Sequence, residues 1–346
     1  MRFSNVHVEA IGYEIAPFVA SSDDIEAQLA PLYQKMHMRP GQLEAWTGIR
    51  ERRFWERKPV LAEHAANAGA DALQRAGVSP EQIGMLIFGG VGRDHLEPAT
   101  SCEVAARLGL PGHTTILDIS NACLGVLNGM LLVASAIELG QIEAGLVVSC
   151  ETSRHIIEQT ISELLQENDM ERVRTGLATL TGGSGAVAVL LTQREISKTT
   201  HKLEGGALRN ESQHHKLCMW TPAMNFGPHN PQRMYTDAVG VLKYGTALGV
   251  ATYRDFLHEL GWQESRPTKV ICHQVGSAHQ REILQALELS PEQDFTTYET
   301  LGNMGTVALP MTAGIAADTN FLQPGDRVGF LGIGSGLNCL MLGLTW

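Results

Sequence analysis

At 346 residues the chain is about twice the length of a typical domain, so two domains or one duplicated domain are expected. Hydrophobic residues make up 44% and charged residues 18%, an ordinary globular balance with no low-complexity segment or disordered tail. The formal net charge of -11 argues against general affinity for nucleic acid or an anionic membrane surface, leaving a local basic cluster, Arg50, Arg52 and Arg53, as the place where a phosphorylated ligand would be met.

The N-terminal stretch MRFSNVHVEAIGYEIA has neither the charged and apolar regions of a signal peptide nor a span of about 20 apolar residues, so a soluble cytoplasmic protein is expected. Further along, VLAEHAANAGADALQRAGVSPEQIGMLIFGG (60–90) reads as an amphipathic helix, a glycine stop, a turn and a buried strand. TTILDIS (114–120), a helix from Leu124 to Leu139, Gly140 and the strand AGLVVSCE follow. The same order recurs, displaced by roughly 180 residues, as VLKYGTALGVATYRDFLHELGWQESRPTKVICHQV (241–275), the strand-like DFTTYETL (294–301), a helix from Thr306 to Phe321 and RVGFLGIG. Strands apolar on both faces belong to sheets covered by helices on both sides, so an α/β fold of two duplicated halves, 1–195 and 196–346, is expected. Two stretches break the repeat: a helical excursion over 150–180, and a segment rich in His, Asn, Pro, Gln and Met over 208–240. Long excursions on a regular scaffold commonly form lids, tunnels or subunit contacts.

Six cysteines are scattered without CxxC or metal-ligand spacing, which speaks against disulfides and structural zinc. Cys123, in DISNACLGVLNGM, opens a helix, where the dipole and free N–H groups favour a reactive thiolate; an inert, small apolar cysteine fits the same stretch. His273 ends the second-half strand that matches MLIFGG, at the edge where ligands collect in parallel sheets, or is a satisfied core histidine. Asn303, in TYETLGNMGTVALP, precedes the second-half helix as Cys123 precedes the first; a turn or N-cap role is the plain alternative. His214, His215 and His229 lack carboxylate or cysteine companions and read as surface residues, so no metal is expected. GGVG and GIGSG lack the spacing and distal acid of a dinucleotide fingerprint, so neither nicotinamide nor flavin is expected.

The order NACLG, CHQ, GNMGT-x-x-x-P and GIGSGLN, together with TGIRERR at 47–53, resembles the thiolase superfamily, in particular its 3-ketoacyl-acyl-carrier-protein synthase III branch. The resemblance covers Thr47 to Asn338 and implies a five-layered αβαβα thiolase fold built from two pseudo-duplicated halves. It also implies a catalytic set of Cys123, His273 and Asn303, with oxyanion-hole amides from Cys123 and from Ser335 between Gly334 and Gly336. Cys123 would carry the acyl chain as a thioester, while His273 and Asn303 would donate to the carbonyl oxygen of the second substrate. Substrate and CoA contacts would fall to Trp46, Arg50, Arg52, Arg53, Gly334 and Gly336, with CoA thioesters as substrates and no cofactor.

Trp46 replaces the arginine that precedes Thr-Gly in the carrier-protein synthases, and GNMGTVA replaces their GNTSAA-like stretch. These departures are similar to the OleA type, the head-to-head acyl-CoA condensing thiolases of bacterial olefin biosynthesis. RDHLEPATS then places Glu97 where that type has a catalytic glutamate entering from the partner subunit, which implies a homodimer. A condensation without loss of CO2 needs such a base, although a first-turn acid beside Pro98 explains Glu97 without it. The expected activity is condensation of two long-chain acyl-CoA molecules to a 2-alkyl-3-ketoacyl product, with downstream enzymes as possible partners. A decarboxylative synthase using a malonyl thioester is the alternative, and a non-catalytic thiolase-fold partner subunit is another.

Overall fold

The computed structural model describes residues 1–167, 170–221 and 233–346. Its first half runs β1 (Val6–Ile15), β2 (Phe18–Ser21), α1 (Ser22–Gln28), α2 (Ala30–Lys35), α3 (Gln42–Thr47), β3 (Glu51–Phe54), α4 (Leu61–Ala76), β4 (Ile83–Gly89), α5 (Thr100–Leu108), β5 (Thr115–Ile119), α6 (Gly125–Glu138), β6 (Ala144–Glu151), α7 (Arg154–Glu167), α8 (Met170–Leu180) and β7 (Gly185–Gln193). The second half runs β8 (Lys202–Asn210), β9 (Cys218–Thr221), β10 (Arg233–Thr236), α9 (Ala238–Leu260), β11 (Lys269–Cys272), α10 (Ser277–Leu287), α11 (Tyr298–Leu301), α12 (Ala308–Asp318), β12 (Arg327–Gly334) and β13 (Asn338–Thr345).

The principal strands follow the order β11-β12-β13-β8-β1-β7-β6-β4-β5, and the two half sheets meet where β1 and β8 share one pair, His7 with Lys202. Outward from that seam both halves repeat one pattern. β1 is antiparallel to β7, β7 to β6, and β6 is parallel to β4; likewise β8 is antiparallel to β13, β13 to β12, and β12 is parallel to β11. The polar connection from 194 to 201 joins the halves.

Helix composition sorts the layers. α6 and α12 are apolar around their whole circumference, as a helix covered on two sides must be, and they lie between the half sheets. Leu124, Val126, Met130 and Val133 there share a core with Leu309, Met311, Phe330 and Leu342. Each fully buried side chain of this kind contributes about 1.5–3 kcal/mol. α4 is amphipathic and covers the outer face of the first half sheet with an alanine-rich stripe, close enough that a Cβ on Gly12 would fall 2.3 Å from the Ala68 carbonyl oxygen. α9 and α10 cover the second half sheet in the same way, completing five layers. A fourth cluster packs α1, α2 and α3 against α7 and α8, the excursion read from residues 150–180.

One expected strand is absent. Residues 294–301 make a single bridge between Asp294 and Val270 and then turn into α11. Side chains take over the strand's bonds: Gln274 Oε1 accepts from the N–H groups of Thr297 and Tyr298, and Asp294 accepts from the Cys272 N–H. β11 is also shorter than the apolar run KVICHQV and stops at Cys272, just before His273.

Candidate active site

The nucleophile candidate stands between β5 and α6, at the end of the sheet where the parallel strands point. Ala122 adopts a left-handed conformation with φ 46°, unusual for a residue with a Cβ, and turns Cys123 out of the strand line ahead of the helical cap residue Leu124. The turn fits because glycines meet beneath it: a Cβ on Gly89 would lie 2.7 Å from the Gly125 backbone. Here the GG of the GGVG motif has its packing reason.

Burial pushes the Cys123 thiol up to about 12, with neighbouring Cys218 and the carboxylate of Glu151 adding to the rise. This burial opposes the thiolate that the helix start favours and supports a neutral thiol at rest.

His273 follows β11, and its N–H donates to the Leu331 carbonyl of β12 at 3.0 Å. Burial holds its imidazole down to about 3, with His279 contributing, so the ring is neutral. Its Nδ1 is buried and has no hydrogen-bond partner among the described residues. Nothing accepts a proton there, which favours the tautomer carrying hydrogen on Nε2. Asn303 is fixed by its backbone, whose N–H donates to Thr181 O and whose carbonyl accepts from the Gly183 N–H, both at 2.8 Å. Its Oδ1 accepts from the Gly305 N–H at 3.0 Å, leaving the amide NH2 as the donor for another group.

The turn after β12 closes against the nucleophile. A Cβ on Gly334 would come within 3.4 Å of the Cys123 nitrogen. Asn338 Nδ2 donates both to Ser335 O and to Asn121 Oδ1 at 3.1 Å, tying the two turns together. Gly336, with φ 141°, leaves room for that side chain, since a Cβ there would meet Asn338 Nδ2 at 2.1 Å.

Cys123, His273, Asn303, Gly334, Ser335 and Trp46 all line one cavity of about 280 Å³. Its wall is apolar, drawn from Leu177 and Ala178 of α8, Met234 of β10, Val241 and Leu242 of α9, and Ile333 and Leu337. Both excursions from the repeat thus supply cavity wall. His229 lies outside the described residues, while His214 stacks on Tyr244 with ring centroids 3.9 Å apart.

Other expected contacts lie elsewhere. Arg52 is fully buried, and its guanidinium donates to Ala20 O, Ser22 Oγ and Leu180 O, so its assignment to CoA phosphate is corrected. Alternation along β3 sends Arg52 inward. Arg53 pairs with Glu51 at 3.1 Å, Arg50 is exposed, and neither these two nor Gly336 lines the cavity. Glu97 is exposed on the connection from β4 to α5, outside its own chain's cavity. Sequence reasoning missed two cavity residues, His279 and Cys218. His279 lies in the first turn of α10, six residues after His273 in CHQVGSAHQ, and its ring is also held down, to about 4, by burial.

Comparison with known proteins agrees with this geometry. The thiolase N-terminal domain family matches residues 53–198, and the 3-oxoacyl-[acyl-carrier-protein] synthase III C-terminal family matches 257–346. A Shewanella oneidensis protein named acyl-CoA:acyl-CoA alkyltransferase is 49% identical over 351 residues, covering 100% of both chains. A Xanthomonas campestris protein of the same name is 32% identical over 347 residues, again across 100% of both. A cysteine-to-serine variant of Xanthomonas campestris OleA, crystallised with bound lauric acid and lauroyl-CoA, superposes with a TM-score of 0.92 at 32% identity, covering 99% of this chain and 100% of that one. The duplicated five-layer fold and the cysteine-containing apolar cavity are those of a thiolase, and the chain belongs to the acyl-CoA:acyl-CoA alkyltransferase family of the thiolase superfamily.

Proposed function

We propose that this protein condenses two long-chain acyl-CoA molecules into a 2-alkyl-3-ketoacyl-CoA without decarboxylation. The observation that carries the reading is the shared cavity: a thiol, a neutral imidazole and an amide donor facing a wall otherwise built for hydrocarbon. The 49% identity to the Shewanella oneidensis alkyltransferase favours it over a decarboxylative synthase: curated relatives named beta-ketoacyl-[acyl-carrier-protein] synthase III stand at 23–27%, and a solved Xanthomonas oryzae structure named 3-oxoacyl-(acyl carrier protein) synthase III at 32%.

In this mechanism the Cys123 sulfur attacks the first thioester, loses its proton as the C–S bond forms, and expels CoA as the thiol. The amides of Cys123 and Ser335 receive the tetrahedral oxyanion. A base removes an α proton from the second acyl-CoA, and the Nε2–H of His273 and the amide of Asn303 donate to the enolate oxygen. The α-carbon then attacks the acyl-Cys123 carbonyl, and the C–S bond breaks as the sulfur takes back the proton held by the base. Glu97 of a second copy of the chain is the base, since its own cavity lies out of reach and no CO2 departs to supply the carbanion. The working form is accordingly a homodimer.

Pure protein incubated with one long-chain acyl-CoA should release CoA, gain the mass of one acyl group, and form a two-chain product. Cys123→Ala should show neither adduct nor product. A strict requirement for malonyl thioester would overturn the reading.

A further inference from the structure

The segment 90–99 leaves β4, and its tip, His95 to Pro98, is exposed with Glu97 on it. Both ends of this arm are anchored. Asp94 accepts from the N–H groups of Leu61 and Ala62 at 2.8 Å, and Asp118 accepts from Thr100 and Ser101 at 2.8 and 2.9 Å. Arg93 pairs with Asp118 at 3.1 Å and donates to the carbonyls of Gly90, Gly92 and Ile119. Those bonds fix the arm to its own surroundings but not to the reacting cysteine.

One side chain joins the arm to the turn that carries Asn303. Glu151, at the end of β6, is only 7% exposed and accepts from the N–H groups of Val91, at 2.9 Å, and Gly92. Arg93 is the cation that its charge feels, and no salt bridge to Glu151 occurs among the described residues. Its Cγ lies 3.7 Å from where a Cβ on Gly305 would stand, in the turn that orients Asn303. A Cβ on Gly90 would come within 3.1 Å of Oε1, so the arm's first residues are packed onto this carboxylate. Burial raises its pKa to about 7, against the bonds from Val91 and Gly92 and the charge of Arg93.

We propose that Glu151 is a positioning residue that registers the Glu97 arm to the Asn303 turn of its own chain, holding the arm in place for the partner's cavity, and so serves condensation rather than acylation. The inference rests on Glu97 being the base of the proposed reaction. As a carboxylate Glu151 offers two full acceptors to adjacent N–H groups; protonated, or as Gln, it keeps one good acceptor and sets a donor against the arm.

The test compares Glu151→Gln, Gly90→Ala and Glu97→Gln with wild type, in the intact chain with lauroyl-CoA. Acyl adduct is followed by intact mass, condensation by product, and the arm by hydrogen exchange of peptides spanning 90–97. Expected for Glu151→Gln are wild-type adduct, condensation at least tenfold slower, faster exchange in 90–97, and loss of any limb near neutrality from the condensation pH profile. Gly90→Ala, which crowds the carboxylate without removing it, should slow condensation and speed exchange in the same direction. Unchanged exchange in both variants, or condensation by Glu151→Gln at the wild-type rate and pH profile, would overturn the proposal. Glu97→Gln should keep wild-type exchange and lose condensation; if it condenses normally, the reading of Glu97 fails and with it this role for Glu151, an outcome distinct from a clamp that does not hold.

Discussion

His273 enters the proposed reaction as a neutral imidazole because its ring is buried, with its Nδ1 unpartnered among the described residues, and because His279 stands beside it. Such a group donates a hydrogen bond without carrying charge, which suits an enolate that must form and then react away. His273→Asn keeps an N–H donor at shorter reach, so condensation should fall by about 10- to 100-fold. Because the wild-type ring does not titrate near neutrality, neither protein should show a pH limb between about 5 and 9 from this residue. The same burial is a stability statement. A folded pKa near 3, against about 6.5 unfolded, gives stability that is present above 6.5 and lost as pH falls towards 3. His273→Asn should therefore lose less stability than wild type between pH 7 and pH 5, by on the order of 2 kcal/mol. Denaturant titrations at the two pH values check this, and parallel losses would show that the wild-type ring is not held neutral.

At the level of elements, chemistry depends on two turns from different halves of the chain being locked face to face. β5 leads to Cys123, β12 leads to Ser335, and Asn338 bonds across them to Asn121. Asn338→Ala removes that brace, and its bond to Ser335 O, while leaving Cys123, His273 and Asn303 in place; CoA release in the first turnover should slow about tenfold, equivalent to about 1.4 kcal/mol. An unchanged burst would mean that packing of Gly334 on Cys123 suffices. The order of the elements was legible because apolar strands and glycine-stopped helices recur at one spacing; Cys123 and His273 stand out because they follow strand-like runs of that repeat, and Asn303 because it precedes the second-half helix as Cys123 precedes the first. What could not be read depended on contacts distant in sequence. Residues 294–301 look like a strand, yet Gln274 and Asp294 take over the bonds a strand would have made. Arg52 looks like a surface cation, but alternation on β3 turns it towards Leu180 O, 128 residues away. Glu151 carries no motif at all; only folding places it between the arm and the turn that carries Asn303.

For the whole molecule, the central question in the proposed reaction is how an exposed glutamate would serve a cysteine inside a cavity. Glu97 lies outside the cavity of its own chain, on an arm anchored at both ends, so folding of one chain does not complete the proposed site. In a twofold dimer each arm can complete the partner's cavity, and each subunit then contains half of two sites. This arrangement makes complementation diagnostic. Cys123→Ala has an arm but no nucleophile, and Glu97→Gln has a nucleophile but no base, so each variant alone should fail to condense. When the two are mixed and allowed to exchange subunits at random, about half of the dimers contain one of each chain, and each of these has one intact site. Condensation should return to about a quarter of the wild-type rate, whereas base and nucleophile acting within one chain would leave the mixture silent, because no chain carries both. A monomer verified by sedimentation should still take up an acyl group on Cys123 yet make no two-chain product; condensation by that monomer would place the base within the chain and refute the dimeric site.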